Sequence, residues 1–282
     1  MKKSWIIPAV ALLIAALVNF VARWFGNAAV AAIVKPALLP LIALTTVAAA
    51  GGMESRTIRL LVIAQLLGAA GDILLIPDGF PTFACGLVCF LVGHIFYCIN
   101  FGGRSWKGLK PAQWILAIVV MVAATAGLLM AIGVEGTFLV PFAVYGMMLM
   151  LLIWSGLAGV IREKNKATWI ILTVGAVLFA LSDSLIAVQT FHGAKVILEF
   201  LVMVTYVAAQ CLLAWGGIRL FKAGRGEVFR KGQGPNPYFN ASIAEIRCDV
   251  LREHSGIGSG HIDVQIRFRH KIVQHVIERR VR

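Results

Sequence analysis

The sequence predicts an all-α polytopic membrane protein: eight transmembrane helices, read as two parallel four-helix repeats, followed by a basic C-terminal tail. Three observations carry this reading. Of 282 residues, 60% are hydrophobic and 14% are charged, with a mean hydropathy of +0.87. Soluble domains hold about 45–50% apolar and about 25% charged residues. Apolar runs of about 20 residues, enough to cross a ~30 Å hydrocarbon core, recur eight times. The lysines and arginines between them fall almost entirely on one side. Five cysteines without paired spacing exclude a disulfide scaffold.

The first segment, Trp5–Phe25, follows Lys2 and Lys3. Its apolar run exceeds the ~7–15 residues of a secretory signal core and no clean A-x-A site precedes the next span, so it reads as a retained span. The second, Ala28–Ala50, contains Lys35-Pro36, read as a distorted helix start better suited to a pocket than to lipid. The third, Ile58–Ile76, carries Asp72. In the fourth, Thr82–Phe101, His94 is followed on its own face by Tyr97 and Phe101. Cys85 and Cys89 also share a face there, but without histidine or further cysteine nearby they predict no metal site. Gln113–Gly133, Phe138–Ile161, Thr168–Phe191 (with Asp183) and Val196–Phe221 (with Glu199 and Tyr206) complete the set.

One side holds Lys2, Lys3, Arg56, Arg59, Arg104, Lys107, Lys110, Arg162, Lys164, Lys166, Arg219, Lys222 and Arg225. The other holds only Arg23 and Lys195, beside Asp78 and Glu135. The positive-inside rule then places both termini in the cytoplasm. The chain divides into a transmembrane domain, 1–222, and a tail, 223–282, whose Gly224, Gly226, Gly232, Gly234, Pro235 and Pro237 read as a linker. Beyond it, Ser242 with Glu245 suggests a capped helix and Ile262 to Phe268 a strand. The net charge of +13 is therefore a sum of topology-setting loops and a tail attracted to anionic headgroups, with no nucleic-acid partner implied. His254, His261, His270 and His275 lack metal-ligand spacing.

Ionisable groups inside the hydrocarbon are costly and functional by default. Five occur: Lys35, Asp72, His94, Asp183 and Glu199. At 1.5 Å per residue, Asp72 and Asp183 both stand roughly 22 Å from the cytoplasmic face. Lys35 and Glu199 share that outer half, where either can also snorkel, and His94 lies deeper. A short repeat accompanies them. Leu67-Gly68-Ala69-Ala70-Gly71-Asp72 answers to Phe179-Ala180-Leu181-Ser182-Asp183, Pro36 to Pro141 and Tyr97 to Tyr206, 111, 105 and 109 residues apart. Four spans per unit make the halves parallel and bring the two aspartates to facing positions.

Several of these residues together resemble the YhhN/TMEM86 family of eight-span membrane proteins. They are Lys35-Pro36, Leu67-Gly68 with Gly71-Asp72, Phe90 through Tyr97 with Phe101, Tyr145, Gly175 to Ser184, Thr205-Tyr206 and Gln210. The resemblance covers about residues 1–222 and implies hydrolysis of the vinyl ether bond of a lysoplasmalogen. The products would be a fatty aldehyde and glycerophosphocholine or glycerophosphoethanolamine. The expected partners are a lysophospholipid substrate and membrane lipids, with no cofactor, in a bacterial inner membrane. Vinyl ether hydrolysis needs one protonated carboxylic acid and one carboxylate, roles that fall to Asp72 and Asp183 in either order. Lys35 would hold the lipid phosphate or fix the ionised aspartate. His94, Tyr97, Tyr145, Tyr206 and Gln210 would orient water or headgroup. Intramembrane carboxylates are also features of proton-coupled transporters, which inverted rather than parallel repeats would favour, and a lipid-binding protein without catalysis fits if Lys35 and a hydroxyl satisfy the aspartates.

Overall fold

Eight helices long and apolar enough to cross a membrane dominate the computed structural model, which describes residues 4–77 and 79–230. They are α1 (Ile6–Trp24), α2 (Ala28–Ala50), α3 (Arg56–Leu74), α4 (Phe80–Ser105), α5 (Pro111–Ile132), α6 (Leu139–Arg162), α7 (Lys166–His192) and α8 (Val196–Arg230). A single 3-10 turn, Gly136–Phe138, leads into α6. The eight segments read from hydropathy are thus the eight helices, and the protein is an all-α integral membrane protein. Lys2, Lys3, Asp78, the tail histidines, and the helix and strand expected after Ser242 lie outside the described residues.

Two expectations are corrected. Pro36 does not start a helix: α2 begins at Ala28 and carries both Pro36 and Pro40 in its interior, each removing an i→i−4 donor. The linker expected at Gly224 and Gly226 is helical, because α8 continues to Arg230. Two units divide the chain, Met1–Arg225 and Gly226–Arg282, and all that follows concerns the first.

Consecutive helices pack as antiparallel neighbours in α1–α2, α2–α3, α3–α4, α5–α6 and α6–α7, and α4 also packs on α6. Side-chain bonds tie α8 to α3 (Tyr206 to Asp72), α4 (Tyr97 to Gln210) and α7 (Ser182 to the Val202 carbonyl). The core between them holds Leu39, Leu61, Tyr97, Trp169, Phe179 and Met203, all buried. Outward faces carry Leu13, Ile33, Val119, Met130 and Val140, all exposed, as lipid-facing surfaces require. The Gly68…Gly71 spacing on α3 has a steric reason. A Cβ on Gly71 would fall 2.8 Å from the Phe90 ring, and one on Gly68 2.5 Å from Leu39. Missing side chains let Phe90 and Tyr206 approach α3 closely enough to reach the turn that bears Asp72.

Candidate active site

Asp72 is 2% exposed. Its Oδ1 lies 3.1 Å from Lys35 Nζ on α2, and its Oδ2 accepts a 2.8 Å hydrogen bond from the Tyr206 hydroxyl on α8. Asp183 on α7 is held differently. Its Oδ2 accepts from the Tyr145 hydroxyl on α6, and it lines a cleft among α3 to α7. That cleft is almost entirely apolar, walled by Leu75, Phe83, Leu129 and Phe142 among others. Each aspartate therefore sits at the tip of a tyrosine, one beside a cation and one facing an apolar space. No hydrogen bond joins the two carboxylates among the described residues.

Aromatic rings connect the two halves. The Tyr206 ring packs edge-on against Phe90 (6.3 Å between centroids) and Phe179 (5.6 Å). The His94 ring packs the same way against Phe179 (4.5 Å) and Tyr145 (5.6 Å). His94 is 1% exposed, and its Nδ1 lies 2.6 Å from the Phe90 carbonyl oxygen. A carbonyl only accepts, so Nδ1 carries the hydrogen. Nε2 is then a buried lone pair with no protein partner, in the ring that bridges the two aspartate–tyrosine pairs.

Of the residues expected to form the site, Lys35, Asp72, His94, Tyr145, Asp183 and Tyr206 make one connected cluster. Tyr97 and Gln210 do not join the aspartates. They bond each other at 2.7 Å, one turn further along α4 and α8. Arg23, read from the sequence only as a topology marker at the outer end of the first span, lies in the last turn of α1 and forms an ion pair with Glu199. A readable signal existed: Asn19, four residues earlier in an otherwise apolar run, marks the same helix face as polar.

A profile described as the YhhN family matches residues 30–217. The chain is similar to lysoplasmalogenase TMEM86B of Homo sapiens, 31% identical over 161 residues, covering 57% of this chain and 64% of that protein. It is also similar to a lysoplasmalogenase of Mycobacterium bovis, 31% identical over 196 residues, 68% of this chain and 71% of that one. Lysoplasmalogenase TMEM86A of Homo sapiens is 29% identical over 161 residues, 55% and 64% of the two chains. The matches to the human, rat and mouse TMEM86B proteins span less than two thirds of those proteins, at 64%, 60% and 62%. No solved structure matches the chain.

Proposed function

Because the chain belongs to the YhhN family, we propose that it hydrolyses the vinyl ether bond of a lysoplasmalogen inside the membrane. Fatty aldehyde and glycerophosphocholine or glycerophosphoethanolamine are the products. One observation carries the reading: two carboxylates in one aromatic-linked cluster, with Asp72 paired to Lys35 and Asp183 facing an apolar cleft. Unlike environments are what split a carboxylate pair into acid and base.

In this reading Asp72, paired with Lys35, takes the carboxylate role and Asp183 the acid role. With the alkenyl chain in the cleft, Asp183 delivers its proton to the carbon β to the ether oxygen. The double-bond electrons form that C–H bond and leave an oxocarbenium ion. Asp72 takes a proton as water oxygen bonds to the cationic carbon, and His94 Nε2 accepts the other water hydrogen bond. In the hemiacetal that results, Asp183, now a carboxylate, removes the hydroxyl proton. Asp72 returns its proton to the departing glycerol oxygen, the C–O bond breaks, and both groups are reset.

Two finer features belong to this proposal. Helix α2 supplies Lys35 to an aspartate on α3, and α6 supplies Tyr145 to an aspartate on α7, which supports two parallel four-helix repeats. The basic loops at Arg56, Arg104, Lys110, Arg162 and Lys166 support cytoplasmic termini and an active layer in the outer half of the membrane. The test is incubation of the purified protein with a vinyl ether lysolipid and detection of free aldehyde by mass spectrometry. An Asp72→Asn protein with full activity would end the proposal.

A further inference from the structure

Polar groups continue from the site toward the loop joining α1 and α2. Asn19 Nδ2 donates to the Ala31 carbonyl at 2.9 Å, which sets the register of the two helices. Lys35 is one turn along α2 from Ala31, and Arg23 is one turn along α1 from Asn19, in the opposite direction. The Lys35–Asp72 layer and the Arg23–Glu199 layer are thus about 12 Å apart along the helix axes. A second path agrees: Glu199 and Tyr206 on α8 are seven residues apart, about 10.5 Å. Between the layers the Oδ1 of Asn19, which is fully buried, has no hydrogen-bond partner, and neither does Arg23 Nε. Buried polar atoms are satisfied in the great majority of cases, so these two mark a place where something polar binds. The ion pair itself remains partly accessible, with side-chain exposures of 19% for Arg23 and 31% for Glu199.

We infer that the Asn19–Arg23–Glu199 layer is a subsite for a zwitterionic phosphodiester headgroup, with Arg23 on the phosphate, Glu199 on the amine and Asn19 Oδ1 accepting from the glycerol 2-hydroxyl. The inference rests on the vinyl ether reading for where the other end of the substrate lies. Nine bonds separate the ether oxygen of a glycerophosphoethanolamine from its nitrogen. An extended chain advances about 3.3–3.6 Å per three bonds, so the span is about 10–11 Å, which matches the separation of the two layers. Phosphorus lies five bonds, about 6 Å, from the ether oxygen, so the amine reaches the Glu199 level while the phosphate falls between the two layers, within reach of the Arg23 Nε–H that has no partner. Charge order matches as well: a guanidinium with a free N–H beside a carboxylate complements phosphate followed by ammonium.

The test uses the full-length protein in detergent micelles and ligands without a vinyl bond. Binding of a 1-alkyl lysophosphocholine is compared by equilibrium dialysis with that of the 1-alkylglycerol of equal chain length. The wild type should prefer the phosphocholine compound by about tenfold or more. Arg23→Gln should erase that preference and Arg23→Lys should keep most of it. Glu199→Gln should reduce the preference for the phosphocholine compound over 1-alkylglycerol 3-phosphate, which lacks the amine. If the pair is only a clamp between α1 and α8, Arg23→Gln lowers the melting temperature but retains the wild-type binding ratio, and the inference fails. It fails too if the wild type binds both ligands equally. Headgroup preference without aldehyde release from a vinyl ether lysolipid would instead sink the hydrolase reading and leave the subsite standing.

Discussion

Replacing Lys35 with methionine keeps the length of the side chain and removes its charge. Asp72, 2% exposed, would then be a carboxylate with one remaining hydrogen bond, from Tyr206. Removing one partner of a buried ion pair costs about 3–5 kcal/mol, because the other charge is left uncompensated. For a domain of this size that corresponds to a fall in melting temperature of about 6–20 °C. The partner can be neutralised as well. Asp72→Asn in the Lys35→Met background removes the stranded charge while keeping an acceptor for Tyr206. The double variant should therefore recover at least half of the lost stability. Neither variant should release aldehyde, since the carboxylate is absent from one and unsupported in the other. The pair thus separates folding from chemistry: the double variant is stable and inactive. Differential scanning fluorimetry in detergent, with aldehyde release measured on the same samples, provides both readings. If Lys35→Met and the double variant both melt within about 2 °C of the wild type, the ion pair contributes nothing and the assignment of Asp72 as the fixed carboxylate loses its support.

Asp183→Asn removes the proposed acid and should lower the rate of aldehyde release by about 10²–10⁴-fold, with the helical circular dichroism unchanged. Tyr145→Phe deletes the hydroxyl that holds Asp183; a hydrogen bond to a charged group contributes about 1.5–3 kcal/mol, so steady-state turnover should fall about 10–100-fold. Gly71→Ala places a methyl 2.8 Å from the Phe90 ring, an overpacking that should destabilise the protein by about 1–3 kcal/mol, visible as a lower melting temperature. Ala187, on the cleft wall, should limit the alkenyl chain: Ala187→Leu should shift kcat/KM toward short-chain vinyl ether lysolipids, and an unchanged chain profile would place the chain elsewhere.

Hydropathy made the helices legible because membrane spans are fixed by one dominant requirement, a long apolar run without charges. Their ends were readable to within a few residues wherever a loop is polar. They were misread where helical geometry continues past the hydrophobic stretch, as in α8 from Phe221 to Arg230. Buried charge exposed Asp72, Asp183 and Lys35 for the same reason, since each is expensive in hydrocarbon and therefore conspicuous. Hidden from the sequence were the pairings. Nothing in spacing says that Asp183 meets Tyr145 on α6 rather than a tyrosine on α4, or that Tyr97 is taken by Gln210. Those depend on helix rotation, which packing of small residues such as Gly68 and Gly71 decides in three dimensions. Arg23 escaped notice because a cation at a span end is ordinarily a topology signal; only the buried Asn19 below it reveals a polar face.

Counting charge supports the different roles proposed for the two aspartates. The two layers described above together hold two cations, Lys35 and Arg23, and three carboxylates, Asp72, Glu199 and Asp183. Lys35 neutralises Asp72 and Arg23 neutralises Glu199. No third cation is paired to Asp183 among the described residues; its partner is the neutral Tyr145 hydroxyl. An isolated carboxylate in a low-dielectric space is far costlier than a neutral acid in the same place, which supports the acid role proposed for Asp183. In the proposed reaction that role is protonation of carbon, and an apolar cleft beside Asp183 disfavours competing water. When Asp183 gives up its proton in the proposed reaction, the positive charge it would lack appears on the substrate itself, as the oxocarbenium ion. The Asp183 carboxylate of the proposed reaction thus forms as the oxocarbenium ion does, so the positive charge developing on the substrate stabilises it at that step.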